Sequence, residues 1–238
     1  MYSDDLIWGI VLALLMDRFV GEPAAFHPLV GFGSLANRLE RKFNHTAVRS
    51  RFVGGGALIA AVAPVVLIVW CISLLLPGGT VWLFEAACLY LAIGKTSLDQ
   101  HAKAVYVPLL ANRLNEARQR VGYIVSRDTT EMDESQVAKA TVESVLENGN
   151  DSLFGALFWF IIAGAPGVIF YRLVNTLDAM WGYRSERFLF FGWAAAKLDD
   201  LINWIPARLA ALSYALSGNF REGMQCWRKQ ARACESPN

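Results

Sequence analysis

FVGGGALIAAVAPVVLIVWCISLLL, residues 52–76, is a run of 25 residues without a charged side chain. A helix needs about 20 predominantly apolar residues to cross the hydrocarbon core of a bilayer. This stretch therefore predicts a membrane-spanning helix. Pro77, Gly78 and Gly79 follow it and favour a turn. Residues 80–94 form a second apolar run, interrupted only by Glu85, and predict the returning half of a hairpin.

The composition of the whole chain agrees with a membrane protein. Of its 238 residues, 55% are apolar and only 18% are charged. Soluble domains usually contain about 45–50% apolar and about 25% charged residues. The formal net charge of +1 gives no electrostatic basis for binding nucleic acid. We therefore expect the lipid bilayer as a partner, and no nucleic acid.

Basic residues on both sides of the hairpin predict its orientation. Arg41 and Lys42 precede it, and Lys95 and Lys103 follow it. Cytoplasmic loops carry an excess of Lys and Arg. Both ends of the hairpin are therefore expected in the cytoplasm, with the turn at Pro77 facing outward.

The rest of the chain also reads as helical. Residues 95–150 are mostly polar with a helical period, which predicts a cytoplasmic insertion of two amphipathic helices, the second beginning near Asp128 or Thr129. Residues 152–171 are again uncharged, but Gly and Pro at 164–167 predict a re-entrant or broken helix. The expected fold is an all-α polytopic membrane bundle forming one domain over residues 1–238.

Ionisable residues beside stretches apolar enough to lie in a membrane cost free energy to place there, so they are functional candidates by default. A first cluster contains Asp17, Glu22 and His27 in a segment rich in Gly and Pro. Glycines let the backbone approach a ligand or phosphate closely. The alternative is an ordinary loop, with His27 at an interface.

A second cluster contains Arg127, Asn148 and three acids, Glu143, Glu147 and Asp151. Spacing of i, i+4 and i+8 puts the three acids on one helix face, where like charges repel. A Mg²⁺ ion or a cationic substrate group would explain the alignment, and Mg²⁺ typically takes one or two carboxylates with phosphate oxygens and water. The alternative is a solvated acidic face.

A third cluster follows the last uncharged run. It contains Asn175, Thr176, Asp178, Met180, Gly182 and Tyr183, followed by Lys197, Asp199, Asp200, Asn203, Pro206 and Arg208. A buried pair such as Asp200 with Arg208 could be purely structural, but so many polar groups beside an apolar bundle favour a site. The sequence contains no GxxxxGK[ST] phosphate loop, HExxH or GxSxG motif, so any use of ATP would need a different kind of site.

Several of these strings together resemble the CobD/CbiB family of cobalamin-biosynthesis membrane proteins, the cobinamide-phosphate synthases. The strings are DRFVGEPAAFHPLVG at 17–31, RDTT at 127–130, ESVLEN at 143–148 with Asp151, NTLDAMWGY at 175–183, FGWAAAKLDD at 191–200 and NWIPAR at 203–208. The resemblance extends from about Asp17 to Arg208. Glu22 stands where an Asp is common in the family, which keeps the carboxylate.

The resemblance implies an activity and a location. The family joins a propionate carboxyl of adenosylcobyric acid, a corrinoid, to (R)-1-amino-2-propanol or its O-phosphate, with ATP and Mg²⁺. The product is adenosylcobinamide or its phosphate. This implies a carbon–nitrogen ligase in the bacterial cytoplasmic (inner) membrane, with the active site facing the cytoplasm. Other copies of the chain, or other cobalamin-assembly enzymes, are the protein partners to expect.

The resemblance also implies roles for the candidate residues. Asp178, Asp199, Asp200 and Glu147 would be catalytic. Glu143, Glu147 and Asp151 would bind the metal. The residues expected to bind substrate or phosphate are Asp17, His27, Arg127, Asn148, Asn175, Thr176, Tyr183, Arg184 and Arg208.

The length of the chain departs from the family pattern. Family members are usually longer, and Ser236-Pro237-Asn238 resembles the start of a further family motif, so a C-terminal segment is expected to be missing.

The rival class is a non-catalytic transporter or a regulatory membrane protein. A transporter would also show intramembrane acids and a broken helix, but it should carry several full spans and an inverted repeat. The sequence has only one unambiguous span and no repeat.

Overall fold

The computed structural model describes residues 3–23, 27–45 and 50–230, and these form helices without a β-strand. Ser236–Asn238, and with them the expected start of a further motif, lie outside the described residues. The helices are α1 (Ser3–Val20), α2 (Pro28–Phe43), α3 (Arg51–Leu75), α4 (Val81–Ala92), α5 (Lys95–Leu110), α6 (Leu114–Val121), α7 (Glu134–Gly149), α8 (Gly155–Trp181), α9 (Trp193–Ser217) and α10 (Phe220–Gln230). A π-helical turn, Asn150–Phe154, joins α7 to α8. The predicted all-α fold is confirmed.

Three helical stretches of the described chain are long and apolar enough to cross a membrane. They are Arg51–Leu75, Val81–Leu110 and Glu134–Trp181. The first is the span predicted from residues 52–76. The other two contain additional polar residues, which is why the sequence alone gives only one unambiguous span. A multi-pass membrane bundle is therefore supported by length and composition.

The turn predicted after α3 is present, but its two helices are not each other's main partners. The amide of Thr80 donates to the carbonyl of Pro77 over 2.8 Å, and α4 begins at Val81. From there α4 packs mainly against α1 and α8, whereas α3 packs mainly against α8 and α9. Helix α8 thus lies at the centre of the bundle, and most residues of its second half are buried or half-buried.

The predicted broken helix is confirmed in α8. Helical backbone angles are lost at Ala163 (φ −141°, ψ 19°) and Gly164 (φ 59°, ψ −148°), just before Pro166. Residues other than glycine rarely adopt the positive φ of Gly164. Glu85, from α4, accepts a hydrogen bond from the Ala165 backbone, so it satisfies one donor that the break leaves open. The break therefore depends on glycine and on a carboxylate from another helix.

The polar insertion contains three helices, α5, α6 and α7, so the predicted number of two is wrong, and its last helix begins later than predicted. The predicted start near Asp128 or Thr129 is wrong. Asp128 instead closes a turn by accepting from the amide (3.0 Å) and hydroxyl (2.7 Å) of Thr130. The helix begins at Glu134, where Asp133 and Gln136 form a reciprocal capping box. A small apolar core of Val105, Ala117, Val121, Val137 and Ala140 holds the insertion together.

Candidate active site

Acid and amide side chains from three elements meet beside the second half of α8. The Nδ2 of Asn175 lies 3.2 Å from Asp151 Oδ2, on the π-helical turn, and 3.5 Å from Asp199 Oδ1, on α9. Asn203, one turn after Asp199, donates to Asp199 Oδ2 over 3.0 Å. Two carboxylates far apart in sequence are therefore held together by shared amides.

The same cluster extends through Tyr171 and Asn150. The hydroxyl of the fully buried Tyr171 donates to Asn203 Oδ1 over 2.9 Å. Asn150 donates to Asn203 Oδ1 (3.1 Å) and to Asp151 Oδ1 (3.0 Å). Gly155 makes room for this arrangement, because a Cβ there would lie 2.1 Å from the Tyr171 hydroxyl. Side chains this closely interlocked are preorganised rather than solvated.

The local sequence explains how Asp151 reaches the cluster. The chain passes from α7 into the π-helical turn at Asn150, and such turns are frequent at functional sites. This turn therefore places Asp151 where the insertion meets the bundle. Glu143, two turns earlier, instead pairs with Arg127, with Nη2 2.5 Å from Oε2, and both side chains are about half exposed. Lys139 Nζ lies 3.8 Å from the other oxygen of Glu143.

Two cavities open on either side of this cluster. Cavity A, about 860 Å³, is lined by acids, four cationic residues and aromatic rings. Cavity B, about 960 Å³, is lined mainly by the insertion and by α8. They share a wall made of Glu147, Asp151, Asp178, Gly182 and Tyr183. A group at this wall can be reached from both sides.

Positive charge in cavity A is placed against aromatic rings. The guanidinium of Arg208 lies 3.9 Å from the ring centre of Trp204, and that of Arg51 lies 4.8 Å from Trp193. Lys197 pairs with Asp200 over 2.7 Å. Arg184 also lines the cavity. Guanidinium groups and aromatic faces together suit a ligand that carries both phosphates and a planar ring.

Negative charge is concentrated at and near the shared wall. Burial, together with the neighbouring Asp178 and Asp151, raises the pKa of Asp199, on α9, to about 7. The Asn150 Oδ1 atom is buried and has no hydrogen-bond partner among the described residues. Crowded carboxyl groups beside an amide oxygen without a partner are suited to a cation or an ammonium group.

Mg²⁺ fits this donor set. Hard oxygen ligands are what Mg²⁺ prefers, and it usually takes one or two carboxylates and completes its shell with water and phosphate oxygens. Asp151 and Asp199 supply two carboxylates within reach of one amide. Across the described ranges no group of three or more His, Cys, Asp or Glu side chains is arranged to hold a metal. The site therefore suits a partly hydrated ion more than a closed protein cage.

Cavity B brings cationic groups to the other side of the wall. Arg172 lies at the cluster, where its Nη1 donates to Asn175 Oδ1 over 3.3 Å. Its Nε is buried and has no hydrogen-bond partner in the described part of the chain. Arg127 also lines this cavity. Cavity B is thus lined by the acids of the shared wall and by two arginines.

Most of the predicted site residues lie at these cavities. Those that line cavity A are Glu147, Asp151, Asp178, Tyr183, Arg184, Asp199, Asp200 and Arg208. Those that line cavity B only are Arg127, Asn148 and Asn175. The second and third sequence clusters therefore form one site.

Four predicted residues lie elsewhere in the fold. Asp17 Oδ2 accepts from the Thr96 amide (3.0 Å) and hydroxyl (2.8 Å), so α1 caps α5. His27 Nδ1 accepts from the Leu29 amide at the start of α2. Thr176 bonds back to the carbonyl of Arg172. Glu143 forms the exposed pairs already described and lies outside both linings.

The sequence prediction missed other members of the site. Asn150, Tyr171 and Arg172 belong to the cluster, and Arg51 and Trp193 line cavity A. A signal was available for Arg172, a charge at the end of an uncharged run. The sequence offers no signal for Tyr171, because a tyrosine in an apolar stretch is not unusual. It offers none for Arg51 either, because Arg51 is more than 90 residues away from the acids.

These observations define a class of protein: an all-α chain with membrane-length helices and a preorganised acid–amide site in its bundle. The chain belongs to the CobD/CbiB family, because the family model described as CobD/Cbib protein matches residues 10–238. The resemblance stated from the sequence is thereby confirmed, and the chain has a role in cobalamin biosynthesis.

Three relatives illustrate the relationship. The chain is 56% identical to the cobalamin biosynthesis protein CobD of Stutzerimonas stutzeri, over 97% of this chain and 76% of the relative. It is 52% identical to the protein of that name from Chromobacterium violaceum, over 95% and 74%. It is 37% identical to that of Rhodobacter capsulatus, over 96% and 75%. No solved structure matches the chain.

Proposed function

We propose that this protein is an ATP-dependent, Mg²⁺-dependent amide synthase. It would join the propionate carboxyl of adenosylcobyric acid to (R)-1-amino-2-propanol or its O-phosphate, giving adenosylcobinamide or its phosphate. The observation that carries the proposal is the wall of acids shared by two cavities. Amide formation has to bring an activated carboxyl and an amine together, and a wall open to two cavities provides such a meeting point.

The lining of each cavity suggests its substrate. Cavity A, with Arg51, Arg184, Lys197 and Arg208 beside aromatic rings, suits the triphosphate and base of ATP. Cavity B, lined by Arg127, Arg172 and the acids of the shared wall, suits a small amine that carries a phosphate. The propionate arm of the corrinoid would then reach the shared wall, where the two other substrates meet.

The chemistry requires activation of the carboxyl and deprotonation of the amine. Transfer of the γ-phosphoryl group to the carboxylate would give an acyl phosphate and ADP; attack by the amine would then form the C–N bond and release phosphate. Asp151 and Asp199 would hold Mg²⁺, which when bound would supply positive charge against the phosphates. Arg208 would stabilise charge developing on the transferred group, and Arg184 would bind the phosphates of ATP.

Asp178 is the residue best placed to receive the amine proton. It lies in the shared wall, so it can face the amine in cavity B and the acyl group in cavity A. Gly182 permits this placement, since a Cβ at Gly182 would lie 2.0 Å from Asp178 Oδ1. Glu147, also in the wall, would attract the ammonium form of the amine before the proton leaves.

The direct test is an assay of the protein reconstituted in membranes, with both amine acceptors, with and without ATP and Mg²⁺. We expect amide product only when ATP and Mg²⁺ are both present. Glu147→Ala and Asp200→Ala, purified and folded, should abolish product formation. Complementation of a strain lacking this step provides the cellular counterpart. Transport of a corrinoid without amide formation would reject the proposal and support the transporter alternative.

Magnesium binding can be tested without turnover. Because a ligand that binds only the folded state stabilises it, Mg²⁺ should raise the Tm of the detergent-solubilised protein. Asp151→Asn and Asp199→Asn should each remove most of that shift. Asp99→Asn, which alters an exposed pair with Lys95 outside both cavities, should leave it unchanged. Equal Mg²⁺ shifts in all four proteins would exclude this metal site.

A further inference from the structure

The loop between α8 and α9, residues 182–192, supplies part of both cavities. Tyr183 belongs to the shared wall, and Arg184, Phe188 and Leu189 line cavity A. The loop contains no regular α-helix, although turn hydrogen bonds join Phe188 and Leu189 to Ser185, and Gly192 to Phe188. These bonds shape the loop, but its placement against the bundle depends on contacts with other elements.

The two ends of the loop are fixed by close backbone packing. A Cβ at Gly192 would lie 1.7 Å from the carbonyl oxygen of Trp181, the last residue of α8. A Cβ at Gly54, on α3, would lie 1.9 Å from the carbonyl oxygen of Phe191. These contacts hold the loop where it leaves α8 and where it enters α9, but they leave its middle to be held by something else.

The middle of the loop is held by a cluster of Glu40, Asn44 and Arg187. Arg187 donates twice to the carboxylate of Glu40, from Nε to Oε1 over 2.9 Å and from Nη2 to Oε2 over 2.6 Å. Asn44, at the end of α2, donates to Glu40 Oε1 (2.8 Å) and to the carbonyl of Arg187 (3.0 Å). Both the side chain and the backbone of Arg187 are therefore bound to α2.

The burial of Glu40 distinguishes this cluster from an ordinary surface ion pair. Its side chain is only 4% exposed, whereas that of Arg187 is 61% exposed. Exposed ion pairs contribute little, but a buried carboxylate that loses its partner is strongly unfavourable. Hydrogen bonds from Arg187 hold the pKa of Glu40 below its usual range, so the carboxylate is charged near neutral pH.

We propose that Glu40, Asn44 and Arg187 are positioning residues, which set the affinity of cavity A for ATP by fixing the 182–192 loop. None of the three lines either cavity, so none of them is expected to touch substrate. They act through Tyr183 and Arg184, which the loop places at the wall and in cavity A. This inference rests on the proposed function for the identity of the ligand.

The test compares Glu40→Gln and Arg187→Gln with the unmutated protein. Both variants should raise the KM for ATP about tenfold while kcat at saturating ATP stays within about threefold, because the reacting groups are untouched. The Kd for AMP-PNP with Mg²⁺, a readout without turnover, should rise by the same factor. Arg187→Lys keeps the charge but loses the bidentate geometry. Its KM and Kd should lie between those of the two Gln variants and those of the unmutated protein.

Two further measurements separate positioning from a general loss of structure. Amide hydrogen exchange should increase within residues 182–192 and remain unchanged in α3 and α9. The Glu40→Gln/Arg187→Gln double variant should be no worse than either single one, because residues acting as one unit are non-additive. Glu116→Gln, which breaks an exposed pair with Arg113 outside both cavities, is the matched control and should change nothing.

The outcomes distinguish this inference from the proposed function. Absence of amide product from the unmutated protein would contradict the proposed function, and loop exchange would still report on the cluster. Unchanged KM, unchanged nucleotide affinity and unchanged loop exchange in both variants would overturn the inference. So would a loss of kcat accompanied by faster exchange throughout the bundle, which would make the cluster merely structural.

Discussion

Asp178→Asn is expected to lower the rate of amide formation by about 10²- to 10⁴-fold, the usual contribution of a positioned acid–base group. Asparagine has the same shape as aspartate, so the fold and the contact with Gly182 should be retained, whereas the ability to take a proton is lost. The rate is measured on protein reconstituted in nanodiscs, with saturating substrates and mass-spectrometric detection of the product.

A matched control makes this result specific. Asp99→Asn removes a carboxylate that pairs with Lys95 on the outside of α5, and it should leave the rate within about twofold, as expected of an exposed pair. If Asp178→Asn kept more than a tenth of the activity while remaining folded, Asp178 would not be the proton acceptor. Glu147, in the same wall, would then be the next residue to replace.

Gly54→Ala is expected to cause a large loss of stability. A methyl group at this position of α3 would lie 1.9 Å from a backbone oxygen of Phe191, which cannot rotate away as a side chain can. Overpacking a close contact costs about 1–3 kcal/mol, and occasionally more, so the variant should denature at a clearly lower temperature. Thermal unfolding in detergent, followed by tryptophan fluorescence, measures the effect.

Gly56→Ala, two residues further along α3, is the matched control. No atom lies within 4 Å of a Cβ at this position, so alanine adds no clash. Because alanine favours a helix over glycine by up to about 1 kcal/mol, the control should be neutral or slightly stabilised. Equal unfolding temperatures for the two variants would show that α3 does not contact the loop as closely as described.

The sequence predicts the helices whose hydrophobic pattern is unambiguous. Residues 52–76 predict α3 because no charge interrupts them, and the break in α8 follows from its glycines and Pro166. The continuity of α9 is not predictable in this way. Lys197, Asp199 and Asp200 separate its two apolar runs in the sequence, yet the helix passes through them because these polar groups face cavity A.

The site was predictable in composition but not in geometry. Spacing alone places Glu143, Glu147 and Asp151 on one face, and two of these acids do lie in the shared wall. Glu143 does not, because Arg127 offers it a partner on the outside. The sequence has no marker for the π-helical turn that carries Asn150 and Asp151, and it gives no sign that Tyr171 reaches Asn203 only because residue 155 is glycine.

The wall common to both cavities also constrains how such a protein can diverge. Under the proposed function, a substitution at Asp151 or Asp178 would alter the surroundings of two ligands at once, so adaptation to a new acceptor at these positions would disturb the nucleotide as well. Positions lining a single chamber, such as Trp193 on one side and His101 on the other, are free of that restriction. We therefore expect changes in substrate preference among related chains to accumulate at positions that line one cavity only, while the residues of the shared wall stay the same.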